Sequence, residues 1–390
     1  MQAAAGDLAG LAREFAAGHS LFFDIGTLRE PEFTGIPNVA ANLAREVLAA
    51  GLPCQFFLGE SIIRPEFLRF LLETNGGSFF GYHHQLGETV AGSLLAAVAA
   101  APRSVGLFPA EKPFHRLFDL ELQVLHDFST LATPYFHLAA TNDLHGASLL
   151  ADIASNDLNF CVSEATAAYL RRLCPESAAR VAVSHNGVRW PEHFAPAAEA
   201  LFGGLDFEPY AVILGTIEPR KNLEIVFRAL AQDRALLERY RWVFLGKAGW
   251  LFDFEAAVRR HLGAMPAGFS HAGFVSEFRK YCLLRNARFT LYPSLFEGFG
   301  LPILESFSLG VPVVHSASSS MPEVAGAAGH PFQPDSAGSL LAAIHRLEAA
   351  QAGDAPGLRQ ACLDRAAGFP WSGMLRTILA ETLMLAAGRR

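Results

Sequence analysis

Short apolar runs of strand length, each followed by a stretch of helical periodicity, recur through both halves of the chain. No other feature limits the fold as much, because a strand–helix–strand repeat closes into a parallel sheet with helices on both faces. In the first half, residues 20–25 (SLFFDI) read as a buried strand. Residues 36–50 follow as a helix, with Ile36, Val39, Leu43 and Val47 on one face and Gly51 as its stop. Further strands are expected at 54–58, 104–108, 122–125, 159–162 and 181–184. The pattern pauses over 202–209, which glycine and proline punctuate. It restarts with strands at 211–214, 242–245, 289–292 and 311–314 and a helix opening at 223–230. A chain of 390 residues is too long for one ordinary core, so two doubly wound α/β domains with parallel sheets are expected. The segment from Trp371 onward is a helix without a strand of its own.

Composition narrows the function. With 51% apolar and only 18% charged residues, the chain suits well-buried parallel sheets. A net charge of −7 gives no basic field for nucleic acid, so any phosphate must be bound locally. The five cysteines are scattered, with no C-x-x-C pair, which points to neither a zinc site nor a disulfide framework. Reduced thiols, no basic start before an apolar core, and no apolar run of membrane-spanning length lead to a cytoplasmic expectation. Peripheral contact with the inner membrane face stays open.

In doubly wound folds, ligands sit at the carboxyl ends of strands. Two such places carry chemistry here. After the expected strand 211–214 comes Thr216-Ile217-Glu218-Pro219-Arg220-Lys221-Asn222, then a helix for which Asn222 is expected as N-cap. Arg220 and Lys221 would stand before that helix, where free N–H groups already favour an anion. They read either as a diphosphate clamp or as two solvated loop charges. After the strand 289–292 a loop with Gly298 and Gly300 leads to a helix with Pro302 in its first turn. Glu297 lies on that loop and Glu305 eight residues on, within the helix. Two carboxylates facing one ligand suit the hydroxyls of a sugar. Taken singly, each reads first as a solvated charge; together with the glycines and the Arg220-Lys221 pair that becomes the weaker reading. His126 follows an N-terminal strand and reads as a structural hydrogen-bonder or as a site residue.

These residues together resemble a known family. Glu297 to Glu305 is similar to the E-x7-E motif of family-4 retaining glycosyltransferases, and Ser294-Leu295-Phe296-Glu297-Gly298-Phe299-Gly300-Leu301-Pro302 extends the likeness. The Glu218-Pro219-Arg220-Lys221-Asn222 stretch looks like the donor-phosphate motif of the mannosyltransferase-like branch. Gly273-Phe274-Val275-Ser276, Leu125-His126-Asp127 and Thr34-Gly35-Ile36 also fit. The resemblance implies a GT-B fold: two Rossmann-like α/β domains facing across a cleft. Residues 1–204 would be the acceptor domain, 205–370 the nucleotide-sugar donor domain, and 371–390 a helix crossing back to the first. It implies that Arg220 and Lys221 neutralise the donor diphosphate, and that Glu297 contacts the transferred sugar. Glu305 would accept hydrogen bonds from the ribose, while Phe299, Gly300 and Leu301 hold sugar and phosphate. His126 would lie near the sugar, Gly35 near the phosphates, and Val275 among the donor-binding residues. Many relatives carry an arginine where this chain has Asn38, which puts one phosphate or acceptor contact in doubt.

The implied activity is retaining transfer of a hexose, with mannose from GDP-mannose as first choice, to a saccharide or lipid-linked glycan in surface polysaccharide synthesis. The alternatives are a nucleotide-sugar epimerase or a non-catalytic sugar-binding protein on the same scaffold. No Asp-x-Asp occurs, so no obligatory divalent metal and no further cofactor is expected. The absence of G-x-G-x-x-G after the first strand of either half disfavours a dehydrogenase.

Overall fold

A computed structural model describes residues 2–30, 35–74, 90–175 and 180–388. Thr34 of the Thr34-Gly35-Ile36 motif lies outside the described residues. Cα packing divides the chain into two units. The first comprises Met1–Phe128, Asp143–Gly187 and Pro370–Arg390; the second comprises Ser129–Asn142 and Val188–Phe369.

The first unit is built on an eight-stranded sheet of order β4-β3-β2-β1-β5-β6-β7-β8. Its strands are β1 (Ser20–Asp24), β2 (Cys54–Leu58), β3 (Ser61–Ile63), β4 (Val90–Ser93), β5 (Ser104–Phe108), β6 (Leu120–Leu125), β7 (Leu158–Cys161) and β8 (Arg180–Val183). β1 and β5 centre on apolar runs buried on both sheet faces, which is why they stand out in the sequence, while β6 buries Glu121 and Gln123 among its apolar residues. Phe22, Phe57, Phe108 and Phe118 pack together there, each burial contributing about 1.5–3 kcal/mol.

The expectation of a purely parallel sheet needs correction in this unit. β3 runs antiparallel to β2, and β4 antiparallel to β3. A two-residue hairpin with Gly59 at φ 57° joins β2 to β3. These edge strands are only three and four residues long, too short to show a period. The final helix, Trp371–Gly388, belongs to this unit and packs on the helices Gln2–Gly18 and Gly35–Ala49. It fits closely: a Cβ on Gly187 would come within 2.5 Å of the Trp371 amide nitrogen.

The second unit has a six-stranded, wholly parallel sheet of order β11-β10-β9-β12-β13-β14. Its strands are β9 (Tyr210–Leu214), β10 (Arg241–Leu245), β11 (Phe269–Gly273), β12 (Phe289–Tyr292), β13 (Val313–Ser316) and β14 (His330–Phe332). Trp242, Phe227 and Phe244 are fully buried at its centre. The two edge strands lack an apolar run for different reasons. β11 is half exposed and carries Ser270 and His271, while β14 contains Pro331, which a sheet tolerates only at its margin.

The expected break at 204/205 falls inside this unit. The helix Phe194–Phe202 turns Phe194 and Ala198 onto Val212, Leu245 and Tyr281, so it packs with the second sheet and its helices. Among the described residues no helix is long and apolar enough to cross a membrane.

Candidate functional site

β9 and β12 are hydrogen-bonded neighbours, although β10 and β11 lie between them in sequence. Strand order reverses at this pair. At such a point the loops leaving the carboxyl ends of the two strands are where doubly wound sheets bind their ligands. The loop after β9 carries Arg220 and Lys221; the loop after β12 carries Glu297.

The first loop is fixed by a seam with the loop after β10. Gly215 N–H donates to the Leu245 carbonyl at 2.8 Å, Ile217 to Lys247 at 2.9 Å, and Gly249 back to Ile217 at 3.0 Å. A short 3-10 turn, Pro219–Lys221, then presents the two cations ahead of the helix Leu223–Gln232. Asn222 joins that turn to the helix at φ 54°, a left-handed conformation that asparagine tolerates well. The expectation that its side chain caps the helix is corrected. Its amide instead donates to the carbonyls of Pro293 at 3.2 Å and Pro334 at 2.9 Å, tying this turn to the loop after β12.

Glu297 meets both cations. Lys221 Nζ lies 2.5 Å from Oε1 and Arg220 Nη1 lies 3.1 Å from Oε2. Arg220 also donates to the Phe296 carbonyl at 2.8 Å, and its Nη2 pairs with buried Glu218 at 2.8 Å. Lys221 Nζ stands 5.3 Å from the centre of the Tyr292 ring, a cation–π contact. Burial opposes charge on Glu297, but Lys221 and Arg220 outweigh it and hold the carboxyl down at about 2. Burial lowers Lys221 from the ordinary lysine value and raises Glu218 from the ordinary carboxylate value. Glu297 therefore remains an anion at neutral pH and serves as a hydrogen-bond acceptor, not as an acid.

The sequence reading missed what supports this loop. Ser318 Oγ donates to the Leu295 carbonyl at 2.5 Å, Ser319 Oγ to Glu297 at 2.8 Å, and Ser320 Oγ to Phe299 at 2.9 Å. The Glu297 amide in turn donates to Ser319 Oγ at 2.8 Å. The available signal was the hydroxyl run Ser316-Ala317-Ser318-Ser319-Ser320 directly after a strand. Phe299 is buried in this loop, Gly300 at φ 102° turns the chain into the helix Leu301–Phe307, and Leu301 opens that helix. Glu305 lies on the same helix but is held by Lys280, 2.8 Å away. Val275 is partly buried and packs near Tyr281, just before the helix Glu277–Arg285.

His126 and Gly35 belong to the first unit. His126 follows β6 and donates Nε2–H to the Pro109 carbonyl at 2.6 Å. Burial lowers its pKa, which leaves a neutral ring with Nδ1 as the acceptor. Gly35 is the exposed first residue of its helix, with open space where a Cβ would stand. Asn38, where relatives often carry arginine, accepts from Asn42 Nδ2 at 2.7 Å.

Another group of the first unit carried no sequence signal. Asp24, the buried last residue of β1, accepts from the Gly26 amide at 3.0 Å, and burial raises it from 3.8 to about 6. A carboxyl raised by folding stabilises fully below its unfolded value and loses that contribution as pH rises through the folded one. Asp24→Asn keeps the acceptor without the charge. It should stabilise the protein by up to about 3 kcal/mol above pH 7 and by almost nothing near pH 4. Urea melts at the two pH values check this; an equal effect at both would remove the explanation.

Residues 204–366, which lie within the second unit, match the family described as glycosyl transferases group 1. O-antigen chain mannosyltransferase B of Escherichia coli is 34% identical over 242 residues, which is 59% of this chain and 61% of that protein. The chain thus aligns with about three fifths of that relative's length. Among solved structures, sucrose-phosphate synthase from Thermosynechococcus elongatus matches 95% of this chain and 100% of its own, at a TM-score of 0.64 and 18% identity. HepE of Anabaena, solved in complex with UDP, matches 94% of this chain and 99% of its own, at a TM-score of 0.60 and 16% identity. The fold is GT-B, in two α/β units.

Proposed function

We propose that this chain is a retaining glycosyltransferase. It would move a hexose, with mannose from GDP-mannose as first choice, to a saccharide or lipid-linked glycan in surface polysaccharide synthesis. The observation that carries the reading is the meeting of Arg220, Lys221 and Glu297 at the β9/β12 switch point of the unit that matches group 1 glycosyl transferases. The choice of mannose leans on the E. coli mannosyltransferase relative.

Cleavage of the anomeric C–O bond builds negative charge on the departing diphosphate and positive charge on the ring. Two cations already fixed by the seam and by Glu297 stabilise the first without reorganising. The diphosphate competes with Glu297 for those cations, which frees the carboxylate to accept from sugar hydroxyls and to face the growing positive charge. Phe299, Gly300 and Leu301 hold the sugar and phosphate, and Glu305 the ribose. Because Arg220 and Lys221 carry the neutralising role, turnover is expected to persist in EDTA. We place the enzyme in the cytoplasm, working at the inner membrane face where a lipid-linked acceptor would be.

Thermal melts against a panel of nucleotide sugars test the reading. The true donor at 100 times its dissociation constant should stabilise by about 2.7 kcal/mol. Acceptor-dependent release of the nucleotide should accompany it. Stabilisation by no nucleotide sugar would refute the proposal, and conversion of the donor without any acceptor would point to an epimerase.

A further inference from the structure

Glu305 is not free to act alone. Lys280 Nζ, on the helix Glu277–Arg285, lies 2.8 Å from Glu305 Oε1 and 2.9 Å from Glu277 Oε1. It also stands 5.3 Å from the centre of the Trp190 ring. Two carboxylates and an indole face thus account for the three N–H bonds of the ammonium. Burial opposes its charge, but the two glutamates outweigh burial and raise its pKa above the ordinary lysine value.

The backbone beneath Glu305 is held as well. Trp190 Nε1 donates to Ser308 Oγ at 2.9 Å, and that hydroxyl donates to the Glu305 carbonyl at 2.8 Å. Glu305 is buried, and among the described residues its Oε2 has no protein partner. One oxygen is therefore committed to Lys280, and the other is left as an acceptor in a fixed direction.

We infer that Lys280 is a positioning residue: it takes one oxygen of Glu305 so that the other, Oε2, reads a single ribose hydroxyl of the nucleotide. The inference rests on the proposed role of Glu305 at the ribose and deepens it. A carboxylate turning freely would serve either hydroxyl. One locked by an ammonium serves one, and removing that hydroxyl leaves a buried oxygen unpaired.

The test compares the ribonucleotide donor with its 2′-deoxy and 3′-deoxy forms, in the wild type and in Lys280→Met. The wild type should lose about tenfold or more in kcat/KM with one deoxy form and much less with the other. Lys280→Met should raise KM for the ribonucleotide donor about tenfold with kcat within about twofold, and it should narrow the gap between the two deoxy forms. Lys280→Arg should restore part of that gap. If Lys280→Met does not fold, Lys280→Gln, whose shorter and uncharged side chain no longer places an ammonium on Glu305 Oε1, carries the same comparison.

A wild type that discriminates beside a variant that discriminates equally well would overturn the role of Lys280 alone. A wild type that turns over all three donors alike would overturn the ribose role of Glu305 and this inference with it. A wild type inactive on every nucleotide sugar would overturn the proposed function as well.

Discussion

Lys221→Ala is expected to lower turnover about 10²-fold or more while the protein still folds. Lys221 Nζ is the ammonium held against Glu297 at 2.5 Å, on a loop fixed by backbone hydrogen bonds to its neighbour. Its charge would act where the diphosphate gains negative charge, so its loss should appear in kcat and kcat/KM together. Folding should survive because Glu297 keeps Arg220 at 3.1 Å and is not left as an unpaired buried charge. The carboxyl of Glu297 should rise from its value of about 2, since the first of its two cationic neighbours is gone. Glu297→Ala should cost a similar factor by removing the acceptor proposed to face the sugar. Steady-state kinetics with a thermal melt for each variant separate lost chemistry from lost structure. Wild-type turnover in both would strip these residues of their proposed roles.

The fold was legible where burial is symmetrical. β5 is buried along its whole length and reads as an apolar run, as does the central strand β9. The short margins β3, β4 and β14 left no such trace, because an edge needs little burial and is kept brief. The site was legible as residue types but not as a constellation. Arg220 and Phe296, and Lys221 and Glu297, are 76 residues apart in sequence. Only the sheet order, which places β12 beside β9, brings them together.

Three details had no sequence signal strong enough to act on. Asn222 sits at the N-cap position, but its side chain faces Pro293 and Pro334 because the left-handed backbone turns it away. Ser318, Ser319 and Ser320 look like an ordinary polar loop until their hydroxyls are seen on the backbone of the Glu297 loop. Lys280 looks like a solvated helix charge, and becomes informative only because Glu305 and Trp190 enclose it.

Gly246→Ala should be the most damaging single-methyl change in the second unit. Gly246 follows β10 at φ 150°, a conformation that side-chain-bearing residues rarely adopt. A Cβ there would stand 1.9 Å from the Gly215 carbonyl oxygen and 2.5 Å from its carbon. Those atoms are backbone, so no rotamer change relieves the clash. Moving them breaks the bonds from Gly215 to Leu245 and from Ile217 to Lys247, both under 3.0 Å, that fix the Arg220 and Lys221 loop. Strain and overpacking each cost about 1–3 kcal/mol, so a loss of about 3 kcal/mol, within their combined range of about 2–6, is expected. For a unit of this size that lowers Tm by roughly 6–12 °C. Gly338→Ala, in the helix Ala337–Ala367 with only a serine hydroxyl 4.0 Å away, is the control and should leave the melt nearly unchanged. Turnover by the Gly246 variant, measured well below its Tm, should fall further than the unfolded fraction explains, because the displaced seam carries both cations with it. An unshifted melt with full turnover would mean that the loop after β9 can move freely over its neighbour, and the seam could not then be what holds Arg220 and Lys221 in place.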